Sequence, residues 1–182
     1  MNAGGTVVTD KFRIRRLDKL DPPEIAALGD VLIDCVEGGA SVSFMWPMTR
    51  EKADTFWRGV AESVARGERA VLIAEDSEGI VGTVQVIWAA PENQPHRADV
   101  AKMLVHRRAR RQGLGDALLA AAETEARTAG KTFLVLDTVT GSDADRLYAR
   151  GGWHRVGEIP NYALMPGGAP CPTTVFYKAL RD

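Results

Sequence analysis

The sequence predicts a single α/β domain: a mixed, mostly antiparallel sheet of about seven strands flanked by about four helices. Three observations carry this. Residues 70–76, AVLIAED, and 80–90, IVGTVQVIWAA, are β-forming runs on either side of the short turn SEG at 77–79, the pattern of an antiparallel hairpin. Residues 99–122, DVAKMLVHRRARRQGLGDALLAAA, read as strand, basic loop, glycine turn and helix, and the apolar run TFLVLD follows at 132–137. Strand, helix, strand in that order imposes a parallel pair with a right-handed crossover. A chain of 182 residues that is 45% hydrophobic buries roughly 70% of the surface its unfolded form exposes, enough for one core spanning residues 1–182.

The remaining elements follow in order. Residues 1–6 are expected to fray. Phe12 and Ile14 alternate with Lys11, Arg13 and Arg15 as a first strand with one buried face. Asp21 before Pro22, Pro23 and Glu24 signals a helix start, with Ile25, Leu28, Leu32, Cys35 and Val36 as its apolar stripe and Gly38 and Gly39 as its stop. Thr49 is placed to cap a second helix carrying Phe56, Trp57, Val60 and Val64, ended by Gly67. Between these helices Phe44, Met45 and Trp46 are more apolar than a connector needs, so they are either core residues or the lip of a substrate pocket. After the central helix, Gly130 is its stop, and Ser142 or Asp143 caps a short helix carrying Leu147 and Tyr148. Residues 153–159 and 173–180 read as closing strands around a Pro- and Gly-rich loop.

Composition removes several function classes. The net charge of −1 argues against a general nucleic-acid binder, and no aromatic residues interleave the local arginines as base-stacking would require. No apolar run reaches membrane-spanning length. Cys35 and Cys171 lack metal-ligand spacing and read as free thiols of a reducing compartment, so a cytoplasmic protein without a metal is expected.

The basic loop and glycine turn point to an anion site. Gly113 and Gly115 leave the start of a helix without side chains, so unpaired N–H groups and the positive end of the dipole can face a phosphate, with Arg107, Arg108, Arg110 and Arg111 at the entrance. A nucleoside triphosphate loop is excluded, because Gly115 is not followed by Lys and Ser/Thr. A dinucleotide turn fits poorly, since Leu118 stands where the third glycine belongs and HRRARRQ separates strand from glycine. A glycine-permitted turn with solvated arginines is the bland alternative.

At these residues the sequence resembles the GCN5-related N-acetyltransferases (GNAT), whose pyrophosphate loop Q/RxxGxG/A is matched by Arg110, Gly113 and Gly115. The resemblance extends through GSDADRLYARGGWHRVGE and covers most of residues 80–160. A finer likeness, in GGASVSF, LDT, GWHRVGEIPNY and CPTTVFYK, is to the tabtoxin-resistance type of acetyltransferase. The resemblance implies that the parallel central pair splays around acetyl-CoA. Backbone groups of Met103, Leu104 and Val105 would meet the pantetheine arm, and the loop of Arg110, Arg111, Gln112, Gly113, Leu114, Gly115 and Asp116 would hold the pyrophosphate. Many members carry an asparagine where Gly141 stands here, so Ser142 is a candidate replacement for its coenzyme contact.

Acetyl transfer to an amine moves two protons. The resemblance puts Tyr148 in the position of the acid that protonates the leaving thiolate. Asp99 and Asp137, at strand ends, are candidates either for the base or for a charge that attracts the cationic substrate, with Phe44 and Trp46 as further substrate residues. The expected function is acetyl-CoA-dependent transfer to a primary amine of a small molecule, an amino-acid-like antibiotic or metabolite on the strength of the finer likeness. The expected partners are that amine and a second copy in a homodimer, with neither nucleic acid nor membrane. A non-catalytic acyl-CoA sensor or interaction module is the alternative.

Overall fold

The helix signals act where the sequence places them. In the computed structural model, which describes residues 7, 8 and 11–180, the Asp21 N–H donates to Glu24 Oε2 at 3.2 Å at the start of helix α1 (Pro22–Glu37). Thr49 Oγ1 accepts from the Lys52 N–H and opens α2 (Arg50–Ala65), and Gly67 follows its end with φ 71°, a conformation glycine adopts without strain. Helix α3 (Leu114–Thr128) and the short α4 (Asp143–Arg150), capped by Ser142, complete the four expected.

The strands are β1 (Val7–Val8), β2 (Arg13–Leu17), β3 (Arg69–Asp76), β4 (Gly79–Trp88), β5 (Arg97–Val105), β6 (Phe133–Val139), β7 (His154–Leu164) and β8 (Pro170–Ala179). They form one sheet in the order β1-β2-β3-β4-β5-β6-β8-β7. All neighbours are antiparallel except β5 and β6. The eighth strand is the two-residue β1; the expectation that residues 1–6 fray lies outside the described residues. Strand β7 runs further than the sequence indicates, because a register shift between Ile159 and Ala163 absorbs Pro160 and Asn161 without ending the pairing with β8. The Pro- and Gly-rich loop is correspondingly short.

Two apolar layers hold the sheet. On one face α3 and α4 pack Leu114, Leu118, Ala122, Leu147 and Tyr148 against Val84, Val86, Leu134 and Phe176. On the other, α1 and α2 pack Leu28, Leu32, Trp57 and Val60 against Val71, Ile73 and Leu104.

The middle of the sheet is split. Parallel pairing of β5 with β6 covers only residues 97–99 beside 133–135. Beyond that point β5 keeps β4 and β6 keeps β8, so a wedge opens between the C-terminal halves of the central strands. A bulge bends β5 there: Thr83 pairs with Leu104 but Gln85 with Ala101, so Lys102 and Met103 together oppose Val84, and Lys102 takes φ 49°. The expected splay is therefore present.

Candidate functional site

The wedge ends at the basic loop. The His106 N–H donates to Val81 O at 2.8 Å, which makes Val105 and Gly82 a non-hydrogen-bonded pair and turns the N–H and C=O of Val105 away from β4 into the wedge. The alternation of an antiparallel ladder then assigns the backbone groups of Leu104 to Thr83, and its side chain is buried under α1 and α2. Of the three residues expected to offer backbone to a ligand, Leu104 is thus turned to the sheet. The carbonyl of Val105 is also engaged, accepting from Arg110 Nε at 3.0 Å and from the Cys35 thiol.

Gly113 precedes α3 in the left-handed conformation, φ 78°, and a Cβ there would project into open space. Among the described residues, the six backbone N–H groups of residues 111–116 donate to no protein acceptor, and the first N–H of this region to do so is that of Ala117, to Gly113 O. Six unmet donors at a helix N-terminus are an arrangement that can hold an anion. Gly115 also has a packing role: a Cβ there would come within 3.3 Å of Leu147 Cδ2, so this glycine lets α4 approach α3. The side chain of Gln112 caps Arg108 O, and that of Asp116 is ion-paired with Arg150 at 3.0 Å.

The arginines do not act as one cluster. Arg107 is held by Asp34 of α1, through both its N–H and Nε at 2.8 Å, and Arg108 by Asp76 and Glu78 of the hairpin. A hollow of about 480 Å³ lies among Asp30, Asp34, Glu78, His106 and these two arginines, but its cations already face carboxylates. Arg110 braces Val105, and the charges of Arg111 and Arg110 reach Asp143 of α4. Arg111 has no side-chain partner among the described residues.

Tyr148 packs its ring 5.9 Å from Trp153 and 6.0 Å from Phe176. Burial, and then the nearby charge of Asp137, push its phenol above the usual range, so the hydroxyl stays protonated. Asp137 is exposed at the open part of β6, where Thr173 Oγ1 donates to its Oδ2 at 3.1 Å. Its charge reaches both Tyr148 and Lys102. Asp99 lies at the closed end of the wedge, beside Val135, and is ion-paired with Arg97. The charge of Asp137 thus reaches Tyr148, whereas Asp99 is tied to a cation. Ser142 is a helix cap: its Oγ accepts from the Asp145 N–H at 3.1 Å and lies 3.5 Å from Thr138 Oγ1.

The α1–α2 connection lies across the same region. Phe44 meets Phe56 edge-on at 5.3 Å, and both rings face Lys102 Nζ, at 6.0 and 5.7 Å. Trp46 is directed elsewhere: its Nε1 donates to Val36 O, its N–H to Pro166 O, and its ring covers Gly167 at the β7–β8 turn. Phe44 therefore joins the site, while Trp46 ties the connection to the hairpin. Lys102 is the residue the sequence reading missed. Its signal was a lysine inside the apolar run AKMLV of a central strand.

These features agree with the comparisons. Residues 67–155 match the model of the acetyltransferase (GNAT) domain. An N-acetyltransferase of Azospirillum brasilense, named for the hisH-hisA intergenic region and itself uncharacterized, is 31% identical over 126 residues, 68% of this chain and 73% of that protein. Among solved structures, yncA of Salmonella typhimurium, determined with its cofactor acetyl-CoA, superposes with a TM-score of 0.76 at 20% identity, covering 95% of this chain and 96% of that one. Ribosomal-protein-alanine N-acetyltransferase of Brucella melitensis gives 0.75 at 22% identity, covering 92% and 99%. An N-acetyltransferase of Staphylococcus aureus gives 0.78 at 16%, covering 94% and 100%. With its splayed central pair, its glycine-led helix start and these similarities, the chain belongs to the GNAT family of acetyltransferases.

Proposed function

We propose that the protein is an acetyl-CoA-dependent N-acetyltransferase that acts on a primary amine of a small, amino-acid-like molecule by direct attack in a ternary complex. The observation that carries it is the run of six unmet N–H groups at residues 111–116, set at the mouth of the wedge. The left-handed Gly113 and the open space at its Cβ position fit a diphosphate. When bound, acetyl-CoA supplies the acetyl thioester.

The protein's own groups then have separate tasks. Residues 111–116 hold the diphosphate, with Arg111 adding charge. The Val105 N–H, turned into the wedge, donates to the carbonyl oxygen as negative charge develops there. The Tyr148 hydroxyl is the proton donor to the departing sulfur. A phenol at its ordinary pKa of ~10 is a weaker acid than a thiol at ~8.5, a difference of ~2 kcal/mol. Burial enlarges that gap, so Tyr148 acts by a tight hydrogen bond to the sulfur and releases its proton late. Asp137 receives the acceptor's ammonium. An alkylammonium of pKa ~10.4 is about one part in a thousand free amine near pH 7.4, a deficit of ~4 kcal/mol, and Asp137 contributes by accepting the amine's proton as the C–N bond forms.

Two further parts of the reading rest on separate features. Cys35 and Cys171 are free and buried, and burial pushes the Cys35 thiol up, which fits inert thiols in the cytoplasm. Strand β7 lies at the sheet edge with Val156, Ile159, Tyr162 and Leu164 exposed, an apolar edge suited to a homodimer. The test of the main reading is calorimetric titration of coenzyme A at two salt concentrations, followed by thiol-release assays across a panel of amines. Salt-weakened binding and turnover with a small amine are expected; no coenzyme binding would remove the reading.

A further inference from the structure

Lys102 stands out among the lysines because its charge is half-buried in a central strand and poorly matched. The β5 bulge turns it to the α1–α2 face, where Nζ donates to Ser43 Oγ at 2.9 Å and lies over Phe44 and Phe56. An ammonium has three N–H donors. Among the described residues this one has no second hydrogen-bond acceptor and no carboxylate within 4.0 Å. The cost is visible in its titration, since burial holds the lysine below its ordinary range despite the opposing charge of Asp137.

The neighbouring strands have the same excess. Arg69 of β3 donates to Ser63 Oγ of α2 and to Gln85 Oε1, both at 2.8 Å, and has no carboxylate within 4.0 Å among the described residues. Its charge adds to the burden on Lys102. Gln85 of β4, fully buried and paired in register with Ala101, leaves Nε2 without an acceptor. Three adjacent strands thus present two cations and a buried amide donor to one face, with Asp137 as the carboxylate whose charge reaches Lys102. Enclosed donors without acceptors are costly, and a ligand that supplies the missing acceptor recovers that cost.

We propose that Lys102, backed by Arg69 and held by Ser43, is a carboxylate subsite, so that the acceptor is a free amino acid whose carboxylate rests on Lys102 while its ammonium faces Asp137. The assignment rests on the acetyltransferase reading above and narrows it. A simple amine offers no group for Lys102, and the amino terminus of a protein has its first carboxyl consumed in a peptide bond.

Matched pairs test this: amino acids against their decarboxylated amines, and against peptides that begin with the same residue, assayed with wild-type protein, Lys102→Met and Lys102→Arg. The wild type is expected to favour an amino acid over its amine by about 10- to 100-fold in kcat/KM, the range for a charge-assisted hydrogen bond. In Lys102→Met that ratio falls toward unity through a raised KM, and Lys102→Arg restores part of it. Calorimetry of the amino acid added to the coenzyme A complex reads the same loss as a weaker Kd, and unaltered coenzyme A affinity certifies each variant as folded. Equal use of both members by the wild type, or a fall in kcat of Lys102→Met that is the same for both, overturns the subsite and leaves the transferase standing. A panel in which no acceptor is acetylated overturns the transferase reading and the subsite with it.

Discussion

Arg110 Nε donates to the carbonyl oxygen of Val105 at 3.0 Å, joining the loop proposed to hold the diphosphate to the strand end proposed to face the reacting carbonyl. The motif places this arginine on the pyrophosphate, and its Nε also holds the peptide group next in line to the wedge. Arg110→Met is expected to lower kcat by about 5- to 20-fold while weakening coenzyme A binding less than threefold, the pattern of a lost positioning contact. Steady-state kinetics beside calorimetry read the two effects; a loss confined to coenzyme affinity would return Arg110 to the phosphate.

The two glycines of the turn should fail differently. Gly113→Val forces a β-branched residue to φ 78° and points its side chain into the cradle, so coenzyme A affinity should fall by at least about tenfold. Gly115→Val instead meets Leu147 and should cost about 1–3 kcal/mol of stability through overpacking. Thermal melts with and without coenzyme A distinguish the two.

Tyr148→Phe removes a hydroxyl and keeps a ring that packs between Trp153 and Phe176. Stability and coenzyme affinity should hold, while turnover falls by roughly 10²-fold. Unchanged turnover would remove Tyr148 as the acid.

Asp137→Asn and Asp99→Asn should also diverge. The charge of Asp137 reaches Lys102 and Tyr148, so its loss should either abolish the ascending limb of the pH–rate profile, if it is the base, or raise KM for the amine, if it only attracts it. Asp99 is committed to Arg97 at the closed end of the wedge, and its replacement should change kcat less than threefold. A larger effect at Asp99 than at Asp137 would reverse the assignment.

Asp34 sets a pH dependence of stability. Burial alone would raise its pKa, but hydrogen bonds from the Arg107 N–H and Nε, with the charges of His106 and Arg107, outweigh it and hold the carboxyl below the ordinary range. A depressed carboxyl contributes stability above its unfolded pKa of about 3.9 and loses it as the pH falls through the lower folded value. Asp34→Asn should therefore cost about 1–3 kcal/mol at pH 7, and its difference from wild type should shrink below about pH 4 in urea melts.

Local signals were legible because they act locally. The caps at Asp21, Thr49 and Ser142, the stops after α1 and α2, and the turn at 77–79 are written in the residues that form them. What escaped depends on distant neighbours. Arg107 and Arg108 looked like phosphate ligands because Asp34 and Asp76 lie far away in sequence. Strand β7 reads from sequence as ending at Ile159, because a bulge is visible only against its partner. Neither the left-handed backbone of Lys102 nor its approach to Ser43 and two phenylalanines follows from the strand's own pattern.

The brief contact between β5 and β6 has a consequence for cooperativity. Three residue pairs, with the Thr132 and Phe133 N–H groups on His96 O, join one leaf of the sheet, β1 to β5, to the other, β6 to β8, and the remaining coupling runs through side chains packed under α3 and α4 and through the α1–α2 connection, where the Trp46 N–H donates to Pro166 O. The leaves should behave as separate foldons, opening about the 97–99 seam at a lower free energy than global unfolding. In hydrogen exchange the amide of Val105 should be quick in the free protein and slow once acetyl-CoA spans both leaves, so that the ligand acts as the missing rung of the ladder.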